Sequence, residues 1–295
     1  MKIGIAGIGK MGAAIASRLS GLGHEMMVWN RTADKARATG FRVARTPAEL
    51  ACACEVVVSI LADAAAAHAV YDQIGGAAKG KLFIEMSTVR PDAAKDLAQK
   101  IRKAGGAYVE CPVGGTTGPA KEGKLFGFAG GEAADVARAR PILEQLCRRV
   151  EHVGPVGAGS SMKLAINLPL VVYWQALGEA LSLVGHLDLP PERVMDILGD
   201  TSGAPNMLKN RGPSIAAALG GKENPNPTVT VDTLKKDLAE MVAEAKTLGY
   251  DPLVTSGALK AFERASKAGL GGKDCTSLPV AWLARKTWKI GTDPN

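Results

Sequence analysis

The string Gly7-Ile8-Gly9-Lys10-Met11-Gly12 limits what this chain can fold into more than any other feature. It follows a β-prone run, Lys2–Ala6 (KIGIA), and opens a stretch with apolar residues at helical spacing: Met11, Ala14, Ile15, Leu19 and Leu22. A strand, a glycine turn and a helix in that order form the first half of a βαβ unit. The alternation continues. Strands are predicted at Glu25–Trp29, Glu55–Leu61, Lys81–Met86 and Ala107–Cys111, with helical pieces at Thr32–Ala38, Pro47–Cys52 and Pro91–Ala104 between them. The run EVVVSIL at 55–61 is largely apolar without alternating, as in a strand covered on both faces of a parallel sheet.

Beyond Gly159 the β pattern stops. Ser161–Gly185 is nearly all apolar, and a helix that is apolar all round is expected to be buried on every side, as a spine between two domains or two subunits. Further helices are predicted at Pro191–Leu198, Ser214–Leu219, Asp232–Thr247, Leu253–Ala268 and Val280–Trp288. GPVGAGS at 154–160 concentrates glycine and proline and marks a boundary. The 295 residues therefore divide into an α/β domain at 1–160, with a doubly wound, mostly parallel sheet, and an all-α domain at 161–295.

Lys and Arg total 36 against 29 Asp and Glu, a net charge of +7, which favours an anionic ligand. The basic residues are scattered and aromatic residues are 4%, too few for a stacking surface, so no nucleic-acid partner is expected. The longest charge-free apolar stretch, Leu164–Gly178, has 15 residues and includes Asn167, Pro169 and Gln175. A spanning helix needs about 20 apolar residues, so no membrane span is expected. The start, MKIGIAGIGKMG, has no apolar signal core, and a cytoplasmic location is the expectation. The five cysteines are odd in number and show no CxxC spacing, which supports neither a disulfide frame nor a metal site.

The context of GxGxxG gives each glycine a task. Gly7 allows the tight turn, Gly9 lets backbone N–H groups approach a pyrophosphate, and Gly12 lets the helix pack closely on the strand. The N–H groups of the following helix then face the phosphates with partial positive charge. Ile8, Lys10 and Met11 complete this dinucleotide cradle. An acidic residue after the second strand would bind a ribose 2′-hydroxyl, but Trp29-Asn30-Arg31-Thr32 holds none. Arg31 can pair with a 2′-phosphate, and Asn30 and Thr32 can donate to it, so NADP is expected over NAD, with NAD use possible. Leu61, at the end of a later strand, is expected to border the same crevice.

The second informative stretch is GAGSSMKLAIN at 157–167. A turn leads into a helix, with Ser160 or Ser161 as the expected N-cap. Lys163 and Asn167 are four apart and share a helix face. Lys163 is the only Lys or Arg between Arg149 and Arg193. A lysine there can pass a proton to or from a substrate oxygen, with Asn167 holding the lysine or that oxygen. A snorkelling lysine beside a helix amide fits the spacing as well.

Taken together, GIGKMG at 7–12, EMST at 85–88, CPVGGTTGPAKEG at 111–123, GAGSSMKLAIN at 157–167 and LKKDL at 234–238 make the chain resemble the β-hydroxyacid dehydrogenases. This is the 3-hydroxyisobutyrate dehydrogenase group related to 6-phosphogluconate dehydrogenase, and the likeness covers essentially the whole chain. The resemblance implies an α/β Rossmann-like N-terminal domain and an all-α C-terminal domain, hydride transfer between NADP and a small hydroxy acid or semialdehyde, and homodimers or homotetramers built through the helical domain. It puts the family's catalytic lysine on Lys163 and its asparagine on Asn167. The substrate loop falls on Gly114, Gly115 and Thr116, with Gly114 where the family usually has serine. The Ser/Thr pair after the fourth strand falls on Ser87 and Thr88, Ser87 toward substrate and Thr88 toward cofactor. The family's Lys-Asp pair falls on Lys236 and Asp237, near substrate and nicotinamide. Asn-Arg-Thr at 30–32 is similar to the NADPH-using glyoxylate and succinic semialdehyde reductase branch. Imine reductases share the architecture but generally lack the lysine, so Lys163 argues against that alternative, as it does against a non-catalytic NADP-binding protein.

Overall fold

The computed structural model describes residues 1–283. The chain forms two compact units, Met1–Ala165 and Ile166–Asn295, the second described to residue 283. The first contains β1 (Lys2–Ala6), α1 (Lys10–Gly21), β2 (Glu25–Trp29), α2 (Ala33–Arg37), β3 (Arg42–Val43), α3 (Pro47–Ala53), β4 (Val56–Ser59) and α4 (Ala64–Ile74). Then follow β5 (Leu82–Glu85), α5 (Pro91–Lys103), β6 (Ala107–Glu110), β7 (Val113–Gly114), α6 (Thr117–Glu122), β8 (Leu125–Gly130), α7 (Ala133–Leu146), β9 (Cys147–Gly154) and the start of α8 (Ala158–Val184).

One sheet runs in the order β3-β2-β1-β4-β5-β6-β8-β7, with β9 paired to β8. From β3 to β6 all pairing is parallel, and β8 is antiparallel to both β6 and β7. The order reverses between β1 and β4, so a crevice opens at the carboxyl ends of those two strands. Side chains alternate across each strand. Val56 and Val58 of β4 and Ile84 of β5 join a core with Ile15 and Leu19 of α1 and Leu143 of α7. Val57 and Phe83 point the other way, into a core with Leu50 of α3, Tyr71 of α4 and Leu97 of α5. This is why Val56-Val57-Val58 reads as unbroken apolar sequence: both faces of β4 are covered. Each such aliphatic side chain stabilises the fold by about 1.5–3 kcal/mol relative to exposure.

Local signals set the helix starts. Thr46 Oγ1 accepts from Glu49 N at 3.1 Å, with Pro47 in the first turn of α3. Asp63 Oδ1 accepts from Ala66 N at 2.7 Å and starts α4, an alanine-rich helix absent from the sequence prediction. Also unpredicted were α6, α7 and β7 to β9. The last of these, CRRVEHVG, is largely half-buried or exposed and charged, so it shows no apolar strand signal.

The second unit is helical: α9 (Pro191–Gly199) packs on α10 (Asn206–Leu219), α11 (Val231–Thr247) on α12 (Leu253–Ala265), and α10 on α13 (Ser277–Leu283). The sequence reading began α10 at Ser214, after Pro213, whereas the helix runs through that proline. Of the helix predicted at Val280–Trp288, the part past residue 283 lies outside the described residues. α8 corrects two expectations, burial on every side and a serine cap. It is long and apolar enough to cross a membrane by length and composition. It is not buried on every side, because Met162, Ile166 and Leu183 are exposed, Leu183 by 74%. Nor does a serine cap it, as described below.

Candidate active site

The cradle forms at the carboxyl end of β1. Gly7 has φ +99°, a left-handed conformation that suits glycine, and a Cβ there would collide with the Ile60 carbonyl oxygen. A Cβ at Gly12 would collide with the Gly7 carbonyl oxygen, so the close approach of α1 to the turn needs glycine. A Cβ at Gly9 meets nothing within 4 Å, and no side chain caps the N-terminus of α1. The turn is therefore tight where helix meets strand and open where an anion would lie.

Asn30 reaches back to the cradle. Its Oδ1 accepts from Ile8 N at 2.9 Å and its Nδ2 donates to Thr32 O at 2.9 Å. The amide thus ties the cradle to the turn after β2 through one of its two N–H groups. Arg31 and Thr32 are exposed in that turn.

Two glutamates end neighbouring strands, and sequence reasoning missed both. Glu85 of β5 and Glu110 of β6 are register partners, and Ser59 of β4 is the partner of Glu85. Glu85 is 1% exposed. Its Oε2 accepts from Ser59 Oγ at 2.6 Å and its Oε1 from Ser87 N at 2.7 Å. Ser87 Oγ in turn accepts from Leu61 N at 2.7 Å, and Ser59 Oγ lies 2.8 Å from Tyr71 Oη. Burial pushes the Glu85 carboxyl above its ordinary value, against the pull of the Ser59 and Ser87 hydrogen bonds. Ser87, expected beside substrate, is buried and braces the loop after β4, and half-buried Thr88 follows it.

Glu110 closes the start of α8. Its Oε1 accepts from Gly157 N at 2.5 Å and Gly159 N at 2.9 Å, and its Oε2 accepts from Ser160 Oγ at 2.5 Å. Ser160 thus donates to the carboxylate instead of capping the helix, and Ser161 lies inside the first turns of α8. Burial pushes Glu110 up as well, with the Ser160, Gly157 and Gly159 donors pulling it down. The one signal in the sequence was a carboxylate ending each of two apolar runs, KLFIE and AYVE.

Lys163 follows one turn on and is 8% exposed; Asn167 lies one turn further along α8, half-buried. Gly114 ends β7, and Gly115 and Thr116 follow it. Gly115 has φ +121°, and a Cβ there would stand 2.8 Å from Leu125 Cδ2. Gly114 has ordinary room, its nearest neighbours lying 3.9 Å from a Cβ. Thr116 precedes α6 and makes no side-chain cap. In the second unit, Lys236 Nζ lies 3.0 Å from Asp237 Oδ1 on α11, with Asp237 8% exposed. Asp237, expected at the cofactor, thus pairs with its neighbour Lys236.

Comparison with known proteins matches residues 2–154 to the NAD binding domain of 6-phosphogluconate dehydrogenase. Residues 157–281 match the NAD-binding family of NADP-dependent 3-hydroxyisobutyrate dehydrogenase. The chain is 31% identical to glyoxylate/succinic semialdehyde reductase 1 of Arabidopsis thaliana, over 94% of this chain and 97% of that one. It is 28% identical to the cytokine-like nuclear factor N-PAC of Mus musculus, covering 96% of this chain but only 51% of N-PAC, about half its length. The crystal structure of 3-hydroxyisobutyrate dehydrogenase from Salmonella typhimurium superposes with a TM-score of 0.84 at 25% identity, over 95% of this chain and 99% of that one.

Proposed function

The chain belongs to the β-hydroxyacid dehydrogenase family, and from that membership we propose that it is an NADP-dependent reductase of small aldehyde acids, interconverting them with hydroxy acids. The observation that carries this reading is Lys163. It is 8% exposed near the start of α8, in the same compact unit as the dinucleotide cradle.

The residues fit a dinucleotide: a left-handed Gly7, open space around Gly9 and an α1 N-terminus without a side-chain cap. When bound, NADPH supplies the hydride. Arg31 pairs with the 2′-phosphate, Thr32 donates beside it, and Asn30 holds the turn in place. The absence of a carboxylate after β2 supports NADP, though NAD use stays within reach of the same turn. Backbone N–H groups of Gly115 and Thr116 grip the substrate carboxylate, and the family resemblance gives Lys236 a part in substrate binding. During reduction Lys163 gives its Nζ proton to the carbonyl oxygen as that oxygen gains charge, and in oxidation it takes the proton back. Asn167 orients that oxygen or the amine.

The name of the Arabidopsis relative supports glyoxylate and succinic semialdehyde as first substrates to test. NADPH oxidation is followed with these two, tartronate semialdehyde and methylmalonate semialdehyde, in parallel with NADH. Turnover with at least one is expected, faster with NADPH; no turnover with any leaves a protein that only holds the nucleotide. Lys163→Ala is expected to lower kcat by about 10²–10⁴-fold while the Kd for NADPH stays put. Near-normal turnover in that variant overturns the assignment.

A further inference from the structure

We infer that Glu110 is a positioning residue for the reaction: its carboxylate, held at the end of β6, seats the first turn of α8 and thereby sets where Lys163 presents its amine. The inference rests on the role proposed above for Lys163.

Three donors from four consecutive residues converge on this one carboxylate: the N–H groups of Gly157 and Gly159 and the hydroxyl of Ser160. Two oxygens with three fixed donors leave the turn little freedom to rotate or slide. Lys163 stands three residues beyond Ser160, about 5 Å along the axis at the rise of an α-helix. A shift of the first turn is therefore passed to Lys163 with little loss.

The surroundings are shaped around the contact. A Cβ at Gly130 of β8 would collide with Glu110 Oε1. A Cβ at Gly159 would collide with the Phe128 carbonyl oxygen and lie 3.3 Å from Glu110 Cδ. Glycine at both places lets strand, carboxylate and helix meet. A cap alone needs no carboxylate drawn from a strand, because Ser160 or Ser161 can close a helix start locally. What a strand-borne carboxylate adds is a tie between helix and sheet. Glu85, its register partner, does the same for the Ser87 and Leu61 side of the crevice. One row of strand ends thus locates both the loop that borders the nucleotide and the helix that carries the proton donor.

The test uses glyoxylate or succinic semialdehyde with NADPH. Glu110→Ala, Glu110→Gln and Ser160→Ala are made in the wild-type chain and again in Lys163→Ala. Glu110→Ala is expected to lower kcat by about 10²-fold, the scale of loss for a catalytic group displaced by about an ångström. Glu110→Gln, which keeps one acceptor oxygen, and Ser160→Ala, which removes one donor, fall between it and the wild type. The Kd for NADPH is expected to stay within about threefold, since the cradle lies on other strand ends. In the Lys163→Ala background, the second substitution is expected to cost nothing more, because a group acting through Lys163 has nothing left to position. If Glu110→Ala does not fold, the Gln and Ser160 variants carry the same comparison. Wild-type kcat in these variants, a loss that appears in NADPH affinity instead, or losses that multiply with Lys163→Ala overturn the inference. Wild-type turnover in Lys163→Ala itself overturns the reading beneath it.

Discussion

Arg31 stands exposed in the turn after β2, and Trp29-Asn30-Arg31-Thr32 holds no carboxylate. A charge-assisted contact to a phosphate contributes about 1.5–3 kcal/mol. Arg31→Asp removes it and adds like-charge repulsion, so kcat/KM with NADPH is expected to fall by about 10–100-fold while the value with NADH holds or rises. Steady-state kinetics with both nucleotides check this, and an unchanged NADPH preference refutes the account of the turn. Gly9 separates binding from folding. Gly9 has open space about its Cβ direction and no left-handed φ, so Gly9→Ala is expected to keep the thermal midpoint while weakening NADPH binding by about tenfold or more, the methyl standing where phosphate approaches. Calorimetric titration beside a melting curve reads both. Lost stability with intact affinity would show that the open side of the turn faces something other than the nucleotide.

Among elements, the meeting of β4 and β5 holds a carboxyl whose burial costs stability once pH rises above the ordinary carboxylate range. The ordinary value of the Glu85 carboxyl is 4.5, and burial raises it in the folded chain. Between 4.5 and the raised value the folded state holds more proton than the unfolded one, so stability falls as pH rises through that window and is level above it. Glu85→Gln removes this titration and keeps an acceptor for Ser87 N. Denaturant unfolding across that window is expected to show a shallower decline in the variant than in the wild type, and parallel curves would exclude burial as the governing cause. α8 shows how an element can be read correctly in kind and wrongly in surroundings. Its helical character was evident from Ser161 onward, but its true start at Ala158 and its cap were not, because the capping group sits on β6.

For the molecule as a whole, the helical unit carries large apolar side chains at its surface: Leu183 is exposed by 74%, Leu248 by 62%, Tyr250 by 70%, Leu253 by 74% and Val254 by 71%. With the family membership this supports assembly through that unit, and sedimentation analysis is expected to find a dimer or tetramer at micromolar concentration. A monomer there sinks the expectation. Much of the fold and the cradle could be read directly from the residues. Strand–glycine–helix order, the unbroken apolar Val56-Val57-Val58 and the place of Lys163 on a helix are near-neighbour properties, governed by backbone sterics and by side-chain periods of 2 and 3.6. What only the tertiary structure decided are contacts between residues far apart along the chain: Asn30 on Ile8, 22 residues away, Ser87 on Leu61, 26 away, and Glu110 on Gly157, 47 away. Those partners are chosen by the register of parallel strands, which aligns Ser59, Glu85 and Glu110 at one edge. No local rule could select them, since a serine beside a helix start looks like a cap until a buried carboxylate from the neighbouring strand takes its hydroxyl.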